Sequence, residues 1–105
     1  MMNNLKPYWT DQAIRQMKEI YDFYKTFGKK TIQKRISPIK RQVERLTHFP
    51  YLGKVEACYQ ETEYFRSLIE GDYKIIYLIR EERIYIVAIF DCRQNPSNLY
   101  TMLKL

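Results

Sequence analysis

Histidine is almost missing from this chain: His48 is the only one. That leaves no basis for a Ser-His-Asp triad or a histidine-rich zinc site. Glycine is also scarce, with three residues in 105, and no glycine-rich run matches a phosphate-cradling loop. The two cysteines, Cys58 and Cys92, stand far apart and show neither metal nor redox spacing, as expected of reduced thiols. Asp72 and Asp91 are isolated carboxylates rather than a metal cluster. No apolar run approaches the roughly 18–20 residues needed to cross a bilayer. The first residues, Met-Met-Asn-Asn-Leu-Lys-Pro-Tyr-Trp, contain no apolar stretch of the secretory kind. These absences predict a cytoplasmic protein with no cofactor, no metal and no membrane association.

What is present suits a small folded domain. Hydrophobic content of 46% and charged content of 29% fit a globular chain. The length allows one domain over 1–105 that buries roughly two-thirds of its unfolded surface. The net charge is +6, and it is concentrated. Lys29, Lys30, Lys34, Arg35, Lys40, Arg41 and Arg45 face a single acid, Glu44, within one stretch whose balance equals that of the whole chain. Such a block attracts nucleic acid or an acidic protein. The plain alternative is a solvated helix face.

Lys6–Thr10 reads as a first strand, with Thr10 capping a helix and Asp11 complementing its dipole. Ala13, Ile14, Met17, Ile20, Tyr21 and Tyr24 recur at helical spacing up to about Phe27, where Gly28 stops the helix. Ile32, Ile36, Ile39, Val43 and Leu46 form a second ladder. Its phase continues across Pro38, so one kinked helix is expected, although a break capped by Ser37 is the alternative. His48, just ahead of Phe49-Pro50, reads as a capping or surface residue at that helix end. Lys54–Glu63 reads as a polar connection. Strands are expected at Tyr64–Ile69, Tyr73–Arg80 and Arg83–Asp91, joined at Gly71-Asp72 and Glu81-Glu82. Asn95-Pro96 resembles a cap followed by a first-turn proline, with Leu99, Met102 and Leu103 docking a short terminal helix. The order β-α-α-β-β-β plus a helix predicts an α+β fold: a helical hairpin packed on a small antiparallel sheet.

The candidates for chemistry are cations: Arg66, Lys74 and Arg93, with Tyr100 nearby in sequence. Metal-free RNA cleavage needs cations on the developing phosphorane and groups that move protons. Arginine and lysine suit the first task, and a tyrosine or a lysine of depressed pKa can serve the second. The alternative is that Arg66 and Lys74 are strand residues paired with nearby glutamates. The chain also holds ten tyrosines. Beside cations these could stack on unpaired bases, but tyrosine is equally at home in strands and protein interfaces.

Several of these features recur together, in order. They are the Trp9-Thr10 strand end, the Leu46-x-x-x-Pro50-x-x-Gly53 turn, and Arg66…Gly71-x-Tyr73-Lys74…Tyr77…Arg93-Gln94-x-Pro96. The pattern resembles the RelE/ParE superfamily, the toxins of bacterial type II toxin–antitoxin (plasmid stabilisation) modules. The resemblance implies growth inhibition held in check by a cognate acidic antitoxin that folds on binding, with a toxin–antitoxin heterotetramer as one assembly. It also implies one of two targets. RelE-like members are ribosome-dependent mRNA endonucleases, and ParE-like members act on DNA gyrase. Lys74, Arg93 and Tyr100 fall at or near nuclease positions. The strand before them, however, carries one basic residue, Arg66, where the nucleases carry two. That difference, the long helical hairpin and the Arg66-Ser67-Leu68 start favour the ParE-like reading. A non-toxic domain binding nucleic acid through Lys29–Arg45 is the alternative from another class.

Overall fold

The computed structural model describes residues 5–60 and 63–103, with the side chains of 58–60 left aside. The elements in order are β1 (Pro7–Trp9), α1 (Asp11–Tyr24), a 3-10 turn (Lys25–Phe27), α2 (Lys29–His48), β2 (Lys54–Gln60), β3 (Glu63–Glu70), β4 (Tyr73–Arg80), β5 (Arg83–Asp91) and α3 (Ser97–Met102). They form an α+β fold in which the α1–α2 hairpin covers one face of a five-stranded sheet and α3 packs on the other.

The helix starts follow from local chemistry. The Thr10 hydroxyl accepts the Ala13 N–H at 3.2 Å, satisfying a donor the helix leaves unpaired. The same hydroxyl lies 2.9 Å from the Ile86 carbonyl and 3.1 Å from that of Val87, so the cap also ties α1 to β5. Gly28, at φ 97°, separates the hairpin helices. From there α2 runs unbroken through Pro38, and Ile36, Ile39, Val43 and Leu46 are its buried residues. At the other end of the chain, Asn95 Oδ1 accepts the Ser97 N–H at 3.0 Å, as the Asn-Pro pair predicts.

The sheet order is β1-β5-β4-β3-β2. Two features differ from expectation. The Lys54–Glu63 connection is largely the edge strand β2, so the element order is β-α-α-β-β-β-β-α. Its sequence carries no sustained period-2 signal: Lys54, Glu56, Ala57 and Gln60 are weak strand formers, and an added residue at Glu56 puts Val55 and Ala57 on opposite faces. Of the acids in that segment, Glu56 and Glu63 lie in strands and Glu61 lies outside the described residues. In addition β1 pairs with β5 in parallel: the α1–α2 hairpin carries the chain to the opposite edge at β2, and the antiparallel β2–β5 meander brings it back beside β1.

The core has two parts. On the hairpin side, Ala13, Ile20, Ile36, Ile39, Val43 and Leu46 meet Tyr73, Ile75, Tyr77, Ile84, Ile86 and Ile89. On the opposite side, Leu99 and Leu103 cover Phe65, Ile76, Leu78, Ala88 and Phe90. A register shift opposite Ile76 and Tyr77 leaves Val87 as an extra residue, and from there the two faces of β5 exchange. Helix α1 meets the exposed backbone of this bulge. Gln12 Nε2 donates to the Val87 carbonyl at 2.9 Å, and Gln16 Oε1 accepts the Ile89 N–H at 2.8 Å. Ile14 and Tyr21, read as part of the α1 ladder, are instead 53% and 46% exposed. The apolar stripe that faces the sheet is Ala13, Met17, Ile20 and Tyr24, because α1 packs along one side alone.

Candidate functional site

Strand register separates the candidate cations. Arg66 pairs with Tyr77 in the β3–β4 ladder, and Tyr77 belongs to the hairpin-side core. Lys74 lies between Ile69 and Phe90, and Phe90 belongs to the opposite core. Residues directly opposite in a ladder share a face, so Arg66 and Lys74 leave the sheet on opposite sides.

Each cation also has its own partner. Lys74 Nζ is 2.8 Å from Glu56 Oε1, while the Ser67 hydroxyl donates to Glu56 Oε2 at 2.7 Å. A shift in the β2–β3 register leaves Glu56 as the additional residue between Val55 and Ala57, and this aims its carboxylate at Lys74. Burial opposes charge on Glu56, but the hydrogen bonds from Lys74 and Ser67 outweigh it and hold the carboxyl below the usual range. The sequence-level alternative of a strand lysine paired with a glutamate therefore describes Lys74. Arg66 differs: it donates to the Gly53 carbonyl at 2.9 Å and lies 5.0 Å from the Tyr51 ring centroid.

Arg93 follows β5 and forms a two-pronged pair with Asp91, Nε to Oδ1 and Nη2 to Oδ2, both at 2.9 Å. The guanidinium lowers the Asp91 carboxyl below its ordinary value, and Asp91 in turn raises the pKa of Arg93. Asp72 lies 3.9 Å from Arg93 and 4.0 Å from Arg35. Burial, followed by the neighbouring Tyr24, pushes the Tyr73 hydroxyl up to about 12. Tyr100 is an exposed residue of α3. Among the described residues no group of three or more His, Cys, Asp or Glu side chains could hold a metal ion. Also among them, no helix is long and apolar enough to cross a membrane.

The residues Lys29, Lys30, Lys34, Arg35, Lys40, Arg41 and Arg45 are all exposed on α2. Arg35 is the one member with an ion-pair partner among the described residues. His48 is exposed at the end of the same helix.

A further surface escaped the residue-by-residue reading. The turn after α2 displays Phe49, Tyr51, Leu52 and, at the start of β2, Val55, each at least 42% exposed. The turn is anchored from below. The buried Tyr77 hydroxyl donates to the Pro50 carbonyl at 2.7 Å and accepts the Gly53 N–H at 2.8 Å. The only available signal was the run Phe-Pro-Tyr-Leu between polar neighbours, which by itself looks like a core segment.

The family model assigns this basic α+β domain to the toxins of the RelE/ParE superfamily. The model for the family described as "ParE toxin of type II toxin-antitoxin system, parDE" matches residues 8–96, and the chain belongs to that family. Among solved structures, one titled "Chromosomal ParDE TA system from P. aeruginosa" superposes with a TM-score of 0.64. It is 23% identical, with 86% of this chain and 96% of that chain covered, a likeness of fold. No curated protein sequence matches.

Proposed function

We propose that the protein is the growth-arresting toxin of its module and acts in the cytoplasm by binding a protein target, DNA gyrase. The observation that carries this reading is the dispersal of the candidate cations. Arg66 and Lys74 lie on opposite sheet faces, and Lys74 and Arg93 are each occupied by a carboxylate. Phosphoryl chemistry needs such groups turned toward one phosphate. A rigid turn displaying Phe49, Tyr51 and Leu52 instead suits the apolar and aromatic centre of a protein interface. The antitoxin, in this reading, supplies an acidic segment that orders on the toxin near Arg66 and Arg93.

Inducible expression in a bacterium should arrest growth, and co-expression of the adjacent gene should restore it. Purified protein with gyrase and ATP should leave cleaved DNA trapped on the enzyme. Phe49→Ala/Tyr51→Ala should weaken that trapping by about tenfold or more, as loss of interface anchors does, while the fold persists. Site-specific cuts in translated mRNA, abolished by Arg93→Ala or Lys74→Ala, would overturn this reading in favour of a nuclease. Salt-sensitive nucleic-acid binding with unaffected growth would favour the non-toxic alternative.

A further inference from the structure

We propose that the outward face of α2 binds the phosphate backbones of duplex DNA across the major groove. The inference does not rest on the gyrase reading. Lys30, Lys34, Arg41 and Arg45 all lie on α2 and are all exposed. At about 100° per residue they fall within an arc of roughly 60°, nearly opposite the buried stripe of Ile36, Ile39, Val43 and Leu46. None of the four has a carboxylate partner among the described residues; Arg45 donates to Gln42 at 2.9 Å. The one acid of the helix, Glu44, is exposed close to this face and makes no ion pair there. Four unneutralised cations are thus held in line on a rigid rod.

Their spacing selects the ligand. Lys30 and Lys34 form one pair and Arg41 and Arg45 another, with pair centres about 16 Å apart along the axis at 1.5 Å per residue. Between them the face carries the uncharged Ser37 and Pro38. Two cation pairs with an uncharged gap match the two phosphate strands bounding a DNA major groove about 12 Å wide, once side-chain reach is included. The major groove of A-form RNA is too narrow for that arrangement. A single strand would call for aromatic stacking platforms, and this face has none. An acidic protein would call for an apolar centre, and the exposed aromatic residues Phe49 and Tyr51 lie beyond the end of the helix instead.

The test measures binding of the purified chain to a short labelled DNA duplex of arbitrary sequence by fluorescence anisotropy over a salt series. With four phosphate contacts, the slope of log K against log salt should be about −3 to −4. Lys34→Gln and Arg41→Gln should each weaken binding several-fold and make the slope shallower by about 1. Arg83→Gln removes the same charge from the exposed β4–β5 hairpin and should change neither quantity. Circular dichroism checks that all three variants remain folded. An equal loss with Arg83→Gln would reduce the effect to net charge and overturn the proposal. So would undetectable binding at low salt, or equal or tighter binding to single-stranded DNA or duplex RNA. Equally effective competition by polyglutamate would identify an acidic protein surface instead.

Discussion

Tyr77 is completely buried, and its hydroxyl bridges two backbone groups of the turn after α2. A buried polar group stays favourable only while its hydrogen bonds are made. Gly53 completes the contact, since a Cβ there would lie 2.7 Å from the Ser67 carbonyl and from the Tyr77 ring and hydroxyl. Tyr77→Phe should therefore cost about 1–3 kcal/mol, because the Gly53 N–H and the Pro50 carbonyl lose their partner. Gly53→Ala should cost at least as much, through overpacking of about 1–3 kcal/mol. Urea unfolding of both variants provides the check. A Tyr77→Phe midpoint equal to the parent's would mean that the turn is held by Arg66 on the Gly53 carbonyl alone. Either variant should also loosen the display of Phe49 and Tyr51, so partner binding should weaken beyond what the lost stability explains.

At the scale of elements, the β4–β5 hairpin carries strain. Its two-residue connection, Glu81-Glu82, has φ of 50° and 61°. Positive φ at both central positions is the type I′ geometry that lets flanking strands keep their twist, and it favours Asn-Gly. Two glutamates occupy it at a steric cost, and their charges sit beside each other. The sheet enforces this turn, because Arg80 and Arg83 are paired in register and Arg80 is held by Glu63, with Nη2 and Oε1 2.8 Å apart. Glu81→Asn/Glu82→Gly should raise stability by about 1–2 kcal/mol, read as a higher urea midpoint at unchanged slope. Glu81 and Glu82 belong neither to the basic face of α2 nor to the Phe49–Val55 turn, so growth arrest should persist. An unchanged or lowered midpoint would show that the glutamates contribute contacts worth as much as the strain they carry.

For the molecule as a whole, pH should act through its paired carboxylates. Glu56 and Asp91 both have pKa values below their ordinary 4.5 and 3.8 in the folded state. A carboxyl depressed on folding binds fewer protons than its unfolded counterpart. Its stabilisation is complete above the unfolded value and disappears as pH falls through the folded one. Stability should therefore be nearly level between about pH 7 and 5 and decline below that, as protonation removes the partners of Lys74 and Arg93. The chain's positive charge grows over the same interval and adds self-repulsion. Urea midpoints over a pH series test this. Glu56→Gln should lower the midpoint near neutral pH and flatten the acid decline; an acid limb identical to the parent's would remove the Glu56–Lys74 pair as a cause.

The two long helices are legible along the chain, because burying one side of a helix imposes a 3.6-residue period that no tertiary contact is needed to read. The phase of Ile32 through Leu46 carried α2 across Pro38, and Thr10 and Asn95 marked helix starts through hydrogen bonds made within one turn. The three inner strands and the basic block were legible for the same local reason, as was the family pattern. The edge strand β2, the parallel pairing of β1 and the outward placement of Ile14 and Tyr21 emerge from packing alone. Those depend on which neighbour each element meets. The candidate site depended on this most of all. Arg66 and Lys74 look like members of one cationic set along the chain, yet strand register turns them to opposite faces. The partners of Lys74 and Arg93 came from a β2 irregularity at Glu56 and from the chain's exit after Asp91. A period-2 pattern cannot register an added residue, because each bulge reverses the faces beyond it.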